Sequence, residues 1–407
     1  MHVAFVVPRF YPYRGGYENH ILSVARHLRD MGNVVSVFTT TAMDLEAFWL
    51  DGFRTLPAGH QRYEGIEIFR FPISYRRWRR RAGRILGFFP NWHLKARFSR
   101  PGFHVNGLER ELEKACPDVI HVGPLPYNSL MYTGIAVARR LNIPALSTPC
   151  THFGEEGNDE ISKHYVRGFQ IEILNSCKNV LTLTKTEAEQ LGDLGVRREK
   201  LVFSGAGIEP SDVTGGDPAH IRNKYGIYEP IVLHLGMKAP DKGSICVVEA
   251  MKILWQDGAR AHLVLAGPSL SSFDMYLSQQ TSHQGRLLSL GVFDDQEKRD
   301  LLAAADVVVQ PSRVESLGLV VLEAWANQKP VIAADTPVAR ELVEPEHDGF
   351  LVKFGDPPAL ASAIAKLLSD SEISATMGFR GKEKVSRKFL AENVMQGIVP
   401  LFSTGTH

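Results

Sequence analysis

Two glutamates eight positions apart, Glu315 and Glu323, offer the clearest chemistry in this chain. They bound the run Glu315-Ser-Leu-Gly-Leu-Val-Val-Leu-Glu323, which follows an apolar stretch, Asp306-Val-Val-Val309, and a Gln310-Pro311-Ser312 break. This order predicts a strand, a loop carrying Glu315, and an amphipathic helix opened by Gly318 and ending near Asn327. A helix start exposes unpaired N–H groups at the positive end of its dipole, so the amides of Gly318, Leu319 and Val320 can hold a phosphate. From the loop, Glu315 can reach sugar hydroxyls. Glu323, two turns along, can accept hydrogen bonds from a second hydroxylated ring. A phosphate flanked by two such carboxylates suits a nucleotide-sugar. Two glutamates at this spacing are, taken alone, more often solvated surface charges. The surrounding order raises the reading, because Lys329-Pro-Val-Ile-Ala333 supplies the next strand.

The elements that must position these groups alternate along nearly the whole chain. Short apolar runs at 2–7, 34–39, 66–71, 119–122, 145–147 and 180–183 are expected strands, with helical segments such as 18–31 and 129–141 between several of them. The pattern restarts at 231–235 and continues through 262–266, 286–290, 307–309 and 331–333, and 383–402 is rich in helical signal. Such alternation predicts an α/β fold with two doubly wound, Rossmann-like halves and a cleft at the carboxyl ends of their sheets. Gly205-Ala-Gly-Ile-Glu-Pro210 and the polar stretch to Gly216 are expected to link the halves. Neither half opens with the G-x-G-x-x-G turn of dinucleotide enzymes; Gly205-Ala-Gly207 lacks the third glycine.

A length of 407 residues fits two domains, and 44% hydrophobic with 22% charged residues fits a globular class. The net charge of +1 gives no bulk attraction to nucleic acid. Cys116, Cys150, Cys177 and Cys246 form no C-x-x-C pair and are expected to be buried thiols in a reducing compartment. Met1 runs straight into an apolar strand, and no segment approaches about 18 uninterrupted apolar residues, so a cytoplasmic chain is expected.

The Glu315–Glu323 segment resembles the donor-site signature of the retaining family-4 glycosyltransferases, which have the GT-B fold. That resemblance implies transfer of a hexosyl group from a nucleotide-sugar to an acceptor hydroxyl without an enzymic nucleophile. It also implies an acceptor domain at 1–208, a donor domain at 209–387, and a final helix at about 388–407 packing back onto the first domain. Within the family, Glu315 would orient the donor sugar and Glu323 the nucleotide ribose, with Ser316, Leu317, Gly318, Leu319 and Val320 binding the donor. Leu235-Gly236-Met237-Lys238-Ala-Pro-Asp-Lys242-Gly243 resembles the family's Gly-Arg-x-x-x-x-Lys-Gly segment. Lys242 would then grip the leaving diphosphate beside Gly236. Met237 stands where the family usually has arginine, leaving Lys238 as the candidate second cation. Gly291 and Val292 resemble the backbone stretch that cradles the base. Base contacts made by backbone atoms leave UDP, GDP and ADP donors equally open.

In the first half, Gly15-Gly16-Tyr-Glu18 resembles the family's Gly-Gly-x-Glu loop, beside donor phosphate and acceptor. Of two histidines at positions the family uses, His152 is expected to be an active-site hydrogen-bonding group, while His121 is expected to be structural or one layer out. No D-x-D element stands out, so no essential metal or other cofactor is expected. Between Ser74 and Arg100 lie nine Lys or Arg and no acid. Trp78, Ala82, Ile85 and Phe89 share a helical face there. This basic, aromatic segment suits an anionic bilayer, with contacts from Trp78, Arg79, Arg80, Arg81, Arg84, Phe88 and Phe89. A solvated loop or packed helix is the plainer reading, and nucleic acid the weakest. A membrane surface would favour a lipid-linked acceptor. The alternatives are a synthase with a soluble sugar or sugar-phosphate acceptor, a non-hydrolysing epimerase, and a silent nucleotide-sugar-binding subunit.

Overall fold

The structure, a computed structural model, describes residues 1–74, 91–98, 103–156, 159–280 and 285–403. The chain divides into two compact units. The first comprises Met1–Phe153, Asp159–Gly205 and Val394–His407, and the second Gly154–Asn158 and Ala206–Asn393.

The first unit holds strands β1 (His2–Val6), β2 (Val34–Thr40), β3 (Gly59–Tyr63), β4 (Ile66–Phe71), β5 (Ile73–Ser74), β6 (His104–Val105), β7 (Val119–Val122), β8 (Ala145–Ser147), β9 (Asn179–Thr182) and β10 (Leu201–Phe203). Its main sheet runs β10-β9-β8-β7-β1-β2-β4-β3, parallel except for the β3–β4 hairpin, while β5 and β6 pair separately. Successive side chains of a strand point to opposite faces. Accordingly Val3 and Phe5 join one apolar cluster with Ile21, Leu22 and Leu28 of the helix Gly16–Asp30. Ala4 and Val6 join another with Leu130, Met131 and Ile135 of the helix Asn128–Leu141. Both faces are therefore covered, which is why the parallel strands read as largely apolar runs. At the chain's end, Met395, Ile398 and Phe402 pack into the Val3–Phe5 cluster, with the Phe402 ring 5.8 Å from Phe5.

The second unit carries β11 (Ile231–Leu235), β12 (His262–Ala266), β13 (Leu287–Leu290), β14 (Val307–Gln310), β15 (Val331–Ala334) and β16 (Gly349–Val352) in the wholly parallel order β13-β12-β11-β14-β15-β16. This is the 3-2-1-4-5-6 order of a Rossmann sheet, whose direction of winding reverses between β11 and β14. In the first unit the reversal falls between β1 and β7.

Several expectations need correction. Strands β3, β10 and β16 were not apparent in the sequence pattern; β3 is a polar edge, Gly-His-Gln-Arg-Tyr, turned by Glu64 and Gly65 at positive φ. The units divide at Gly205–Ala206, inside the expected 205–216 link, and that stretch is packed rather than solvated. Ala206 and Ile208 are buried, Ile208 bridges to Leu390, and a Cβ on Gly207 would lie 2.9 Å from the Ala391 backbone. Cys116 is exposed, unlike the other three cysteines. The helix after Gly318 is buried from Val321 through Ala326 rather than amphipathic. The expected membrane-contact residues from Trp78 to Phe89 lie outside the described residues.

Candidate active site

At the β11–β14 reversal, two loops leave the carboxyl ends of adjacent strands and bring their side chains together. Beyond β11, Gly236 takes φ +127° and its oxygen would lie 1.9 Å from a Cβ on Gly267, so the β11 and β12 ends meet backbone to backbone. A short 3-10 turn, Pro240–Lys242, then feeds Gly243 (φ +75°) and the helix Ser244–Gln256. A Cβ on Gly243 would meet the Pro311 carbonyl at 2.2 Å. Glycine there lets the β11 loop lie directly against the β14 loop.

Lys242 uses that closeness. Its Nζ donates to Glu315 Oε1 and to the Val314 carbonyl, each at 2.7 Å, and Gln310 Nε2 donates to the same Glu315 oxygen at 3.1 Å. Lys242 and Glu315 keep about a fifth of their side-chain surface exposed, so a ligand can reach both. Beneath them His234 is fully buried. Its Nδ1 donates to the Val309 carbonyl and its Nε2 accepts from Ser244 Oγ, each at 2.9 Å, and Ser244 Oγ in turn accepts from the Ala239 amide. Burial pushes the His234 pKa down to about 4, so a neutral ring ties β11 to β14.

Gly318 (φ +92°) caps the helix Leu319–Ala326, whose first amides have no intrahelical acceptor. A small apolar pocket adjoins Glu315 and Gly318, bordered by Ser312, Leu317 and Leu342. Glu323 is buried farther along this helix and accepts from Lys298 Nζ. Asp306, just before β14, holds the start of β11, its Oδ2 accepting from the Ile231 amide at 2.8 Å and from Arg222 at 3.0 Å.

Lys238 is turned inward. Only 3% exposed, it donates to Ser289 Oγ at 2.8 Å and the Leu290 carbonyl at 2.6 Å, and burial lowers its pKa while Asp274 raises it. Its ammonium thus joins the β11 and β13 ends, immediately before the exposed Gly291 and Val292, and does not stand in for an arginine at Met237.

In the first unit, the loop after β1 reaches Gly15, the N-cap of the helix Gly16–Asp30. Glu18 folds back over this cap: a Cβ on Gly15 would sit 2.4 Å from Glu18 Oε2. The carboxylate is buried and faces Arg9, whose Nε lies 3.4 Å from Oε1, while the Arg9 guanidinium covers the Tyr13 ring at 3.7 Å. Burial raises the Glu18 pKa and Arg9 opposes the rise. Glu18 therefore shapes the Gly-Gly loop. His121 is sealed in the core, its Nε2 2.8 Å from Thr148 Oγ1 and its pKa pushed by burial to about 3. His152 is partly exposed with its ring edge-on to Tyr165, and its loop is fixed by the buried Glu187 carboxylate, which accepts from the Thr151 amide at 2.6 Å and the Leu183 amide at 2.9 Å. The sequence pattern did not point to Arg9, Glu187, His234 or Lys298. Each acts on a partner with no periodic relation to it.

Two Rossmann-like units, the second with a lysine, two glutamates and a glycine-capped helix at its strand reversal, define the glycosyltransferase type of α/β protein. The Glycosyl transferase 4-like domain profile matches residues 15–207 and the Glycosyl transferases group 1 profile residues 219–384. The chain belongs to the family-4 glycosyltransferases of the GT-B fold. It is 30% identical over 161 residues to alpha-D-kanosaminyltransferase of Streptomyces kanamyceticus, covering 39% of this chain and 42% of that one. It is 26% identical over 388 residues to alpha-monoglucosyldiacylglycerol synthase of Streptococcus pneumoniae, covering 90% of this chain and 78% of that one. The crystal structure of Anabaena HepE in complex with UDP and glucose shares the fold, at a TM-score of 0.74 and 20% identity with full coverage of both chains. The chain spans about half the length of several curated relatives that it matches.

Proposed function

We propose that this chain is a retaining glycosyltransferase moving a sugar from a nucleotide-sugar to an acceptor hydroxyl. The observation that carries the reading is the Lys242–Glu315 contact of 2.7 Å at the β11–β14 reversal, beside the Gly318-capped helix. An incoming diphosphate would take over the Lys242 ammonium and release Glu315 to the sugar hydroxyls. Lys242 and the amides of Gly318, Leu319 and Val320 then stabilise the charge that develops on the leaving group. Gly236, Ser316 and Leu317 line the donor, Gly291 and Val292 meet the base through their backbone, and Glu323 reads the ribose. In the transfer, the bond from the anomeric carbon to the diphosphate oxygen breaks and the acceptor oxygen bonds to that carbon on the same face. The acceptor proton passes to the departing phosphate oxygen. No metal enters this scheme, so turnover is expected to survive a chelator.

A lipid-linked acceptor at the inner face of a membrane fits the basic, aromatic 74–100 segment, and the similarity to an alpha-monoglucosyldiacylglycerol synthase supports it. No helix among the described residues is long and apolar enough to cross a membrane. The test is a transfer assay with UDP-, GDP- and ADP-sugars against diacylglycerol, polyprenyl phosphates and soluble sugars, reading nucleotide release and the product's anomeric proton coupling. Release that depends on a lipid acceptor, with the donor's configuration kept, is the expected result. Transfer only to soluble acceptors would remove the membrane part. An inverted product, or conversion of the donor without acceptor, would overturn the reading.

A further inference from the structure

Lys298 sits on the polar helix Asp295–Ala304, outside the segments whose pattern marks the donor site. Its Nζ donates to Glu323 Oε1 at 2.5 Å, and the two side chains are only 13% and 7% exposed. A carboxylate buried that deeply needs a hydrogen-bonding partner to hold it in place. The lysine here comes from another helix, so it fixes the direction of the carboxylate. Asn327 does not share the task, because its Nδ2 donates to the Glu323 main-chain oxygen at 2.9 Å. Among the described residues, no hydrogen bond reaches Glu323 Oε2. One oxygen is held and the other is left to accept.

We propose that Lys298 is a positioning residue that makes Glu323 a reader of a single ribose hydroxyl. Lys298 clamps Oε1, and Oε2 accepts from either the 2′- or the 3′-hydroxyl of the donor nucleotide. The inference rests on the reading above that Glu323 faces the ribose. A carboxylate fixed in this way discriminates sharply, since a nucleotide lacking that hydroxyl leaves a buried, oriented acceptor without its donor. A carboxylate free to turn discriminates little, because water or the other hydroxyl satisfies it.

The test is calorimetric titration of the full chain with UDP, GDP and ADP, then with the 2′-deoxy and 3′-deoxy forms of whichever binds. The wild-type protein should prefer the ribonucleotide to one deoxy form by about tenfold or more. Lys298→Met should bring that ratio to within about threefold, and Lys298→Arg should restore most of it. Should Lys298→Met fail to fold, Lys298→Gln keeps an N–H donor without the charge and takes the same comparison. A Lys298 variant that melts lower yet keeps the full ratio would overturn the inference, because the lysine would then be structural only. A wild-type protein blind to both deoxy forms would overturn the ribose role of Glu323, and the inference with it. Absence of any nucleotide binding would overturn the proposed function itself.

Discussion

Lys242 and Glu315 are a partly exposed pair held by a few hydrogen bonds, and such pairs add little to folding stability. Their value lies in what a ligand does to them. In the proposed reading, a diphosphate would replace the carboxylate on the ammonium and free it for sugar hydroxyls. Lys242→Ala and Glu315→Ala are each expected to lower turnover by at least about 100-fold, the size seen when one electrostatic stabiliser is removed. Unfolding free energy should move by less than about 1 kcal/mol. Steady-state kinetics beside chemical denaturation separates the two quantities, and near-normal transfer by either variant would remove these residues from the chemistry. Lys238 shows how burial reassigns a charge. Next to Met237 it reads as a spare cation, but a side chain beginning one residue later at a strand end points the other way, into the β13 backbone.

Close approach of loops sets the site at the level of elements. Gly267 takes φ +137° with the Gly236 oxygen where a Cβ would be, and Gly243 takes φ +75° against Pro311. Gly267→Ala is expected to destabilise the chain by about 2–4 kcal/mol, combining backbone strain with a clash, as a denaturation midpoint would register. These elements were largely legible. Strands such as Ile231–Leu235 and Val307–Gln310 are buried on both faces and therefore mostly apolar, and Gly318 marks a helix start. The hairpin strand Gly59–Tyr63 was not legible, because an exposed edge needs no apolar pattern. Nor were the Lys298–Glu323 and Arg9–Glu18 pairs. Their partners come from different elements, and only the folded chain puts a basic group beside a buried acid.

The molecule as a whole carries buried neutral histidines in both units: His20 and His121 in the first, His234 in the second. Burial lowers their pKa values to about 4, about 3 and about 4, below the usual 6.5. The unfolded chain therefore binds more protons, and the stability these groups contribute is full above pH 6.5 and lost as the pH falls toward 4. Melting temperature should drop across that window, and a His20→Gln variant should show a shallower drop; equal slopes would remove His20 from the effect. The basic segment also acts at this scale. Reversing the charge of Arg79, Arg80 and Arg81 should reduce sedimentation with anionic liposomes, whereas unchanged sedimentation would favour a segment packed on the protein. The central claim is that the second unit binds a nucleotide-sugar through Lys242. Isothermal titration of the wild-type protein and Lys242→Ala with UDP-, GDP- and ADP-sugars, without added metal, tests it most directly. Saturable binding of one donor by the wild type, weakened by about 30-fold or more in the variant, is the expected result. Binding of no donor, or equal binding by both proteins, would contradict it.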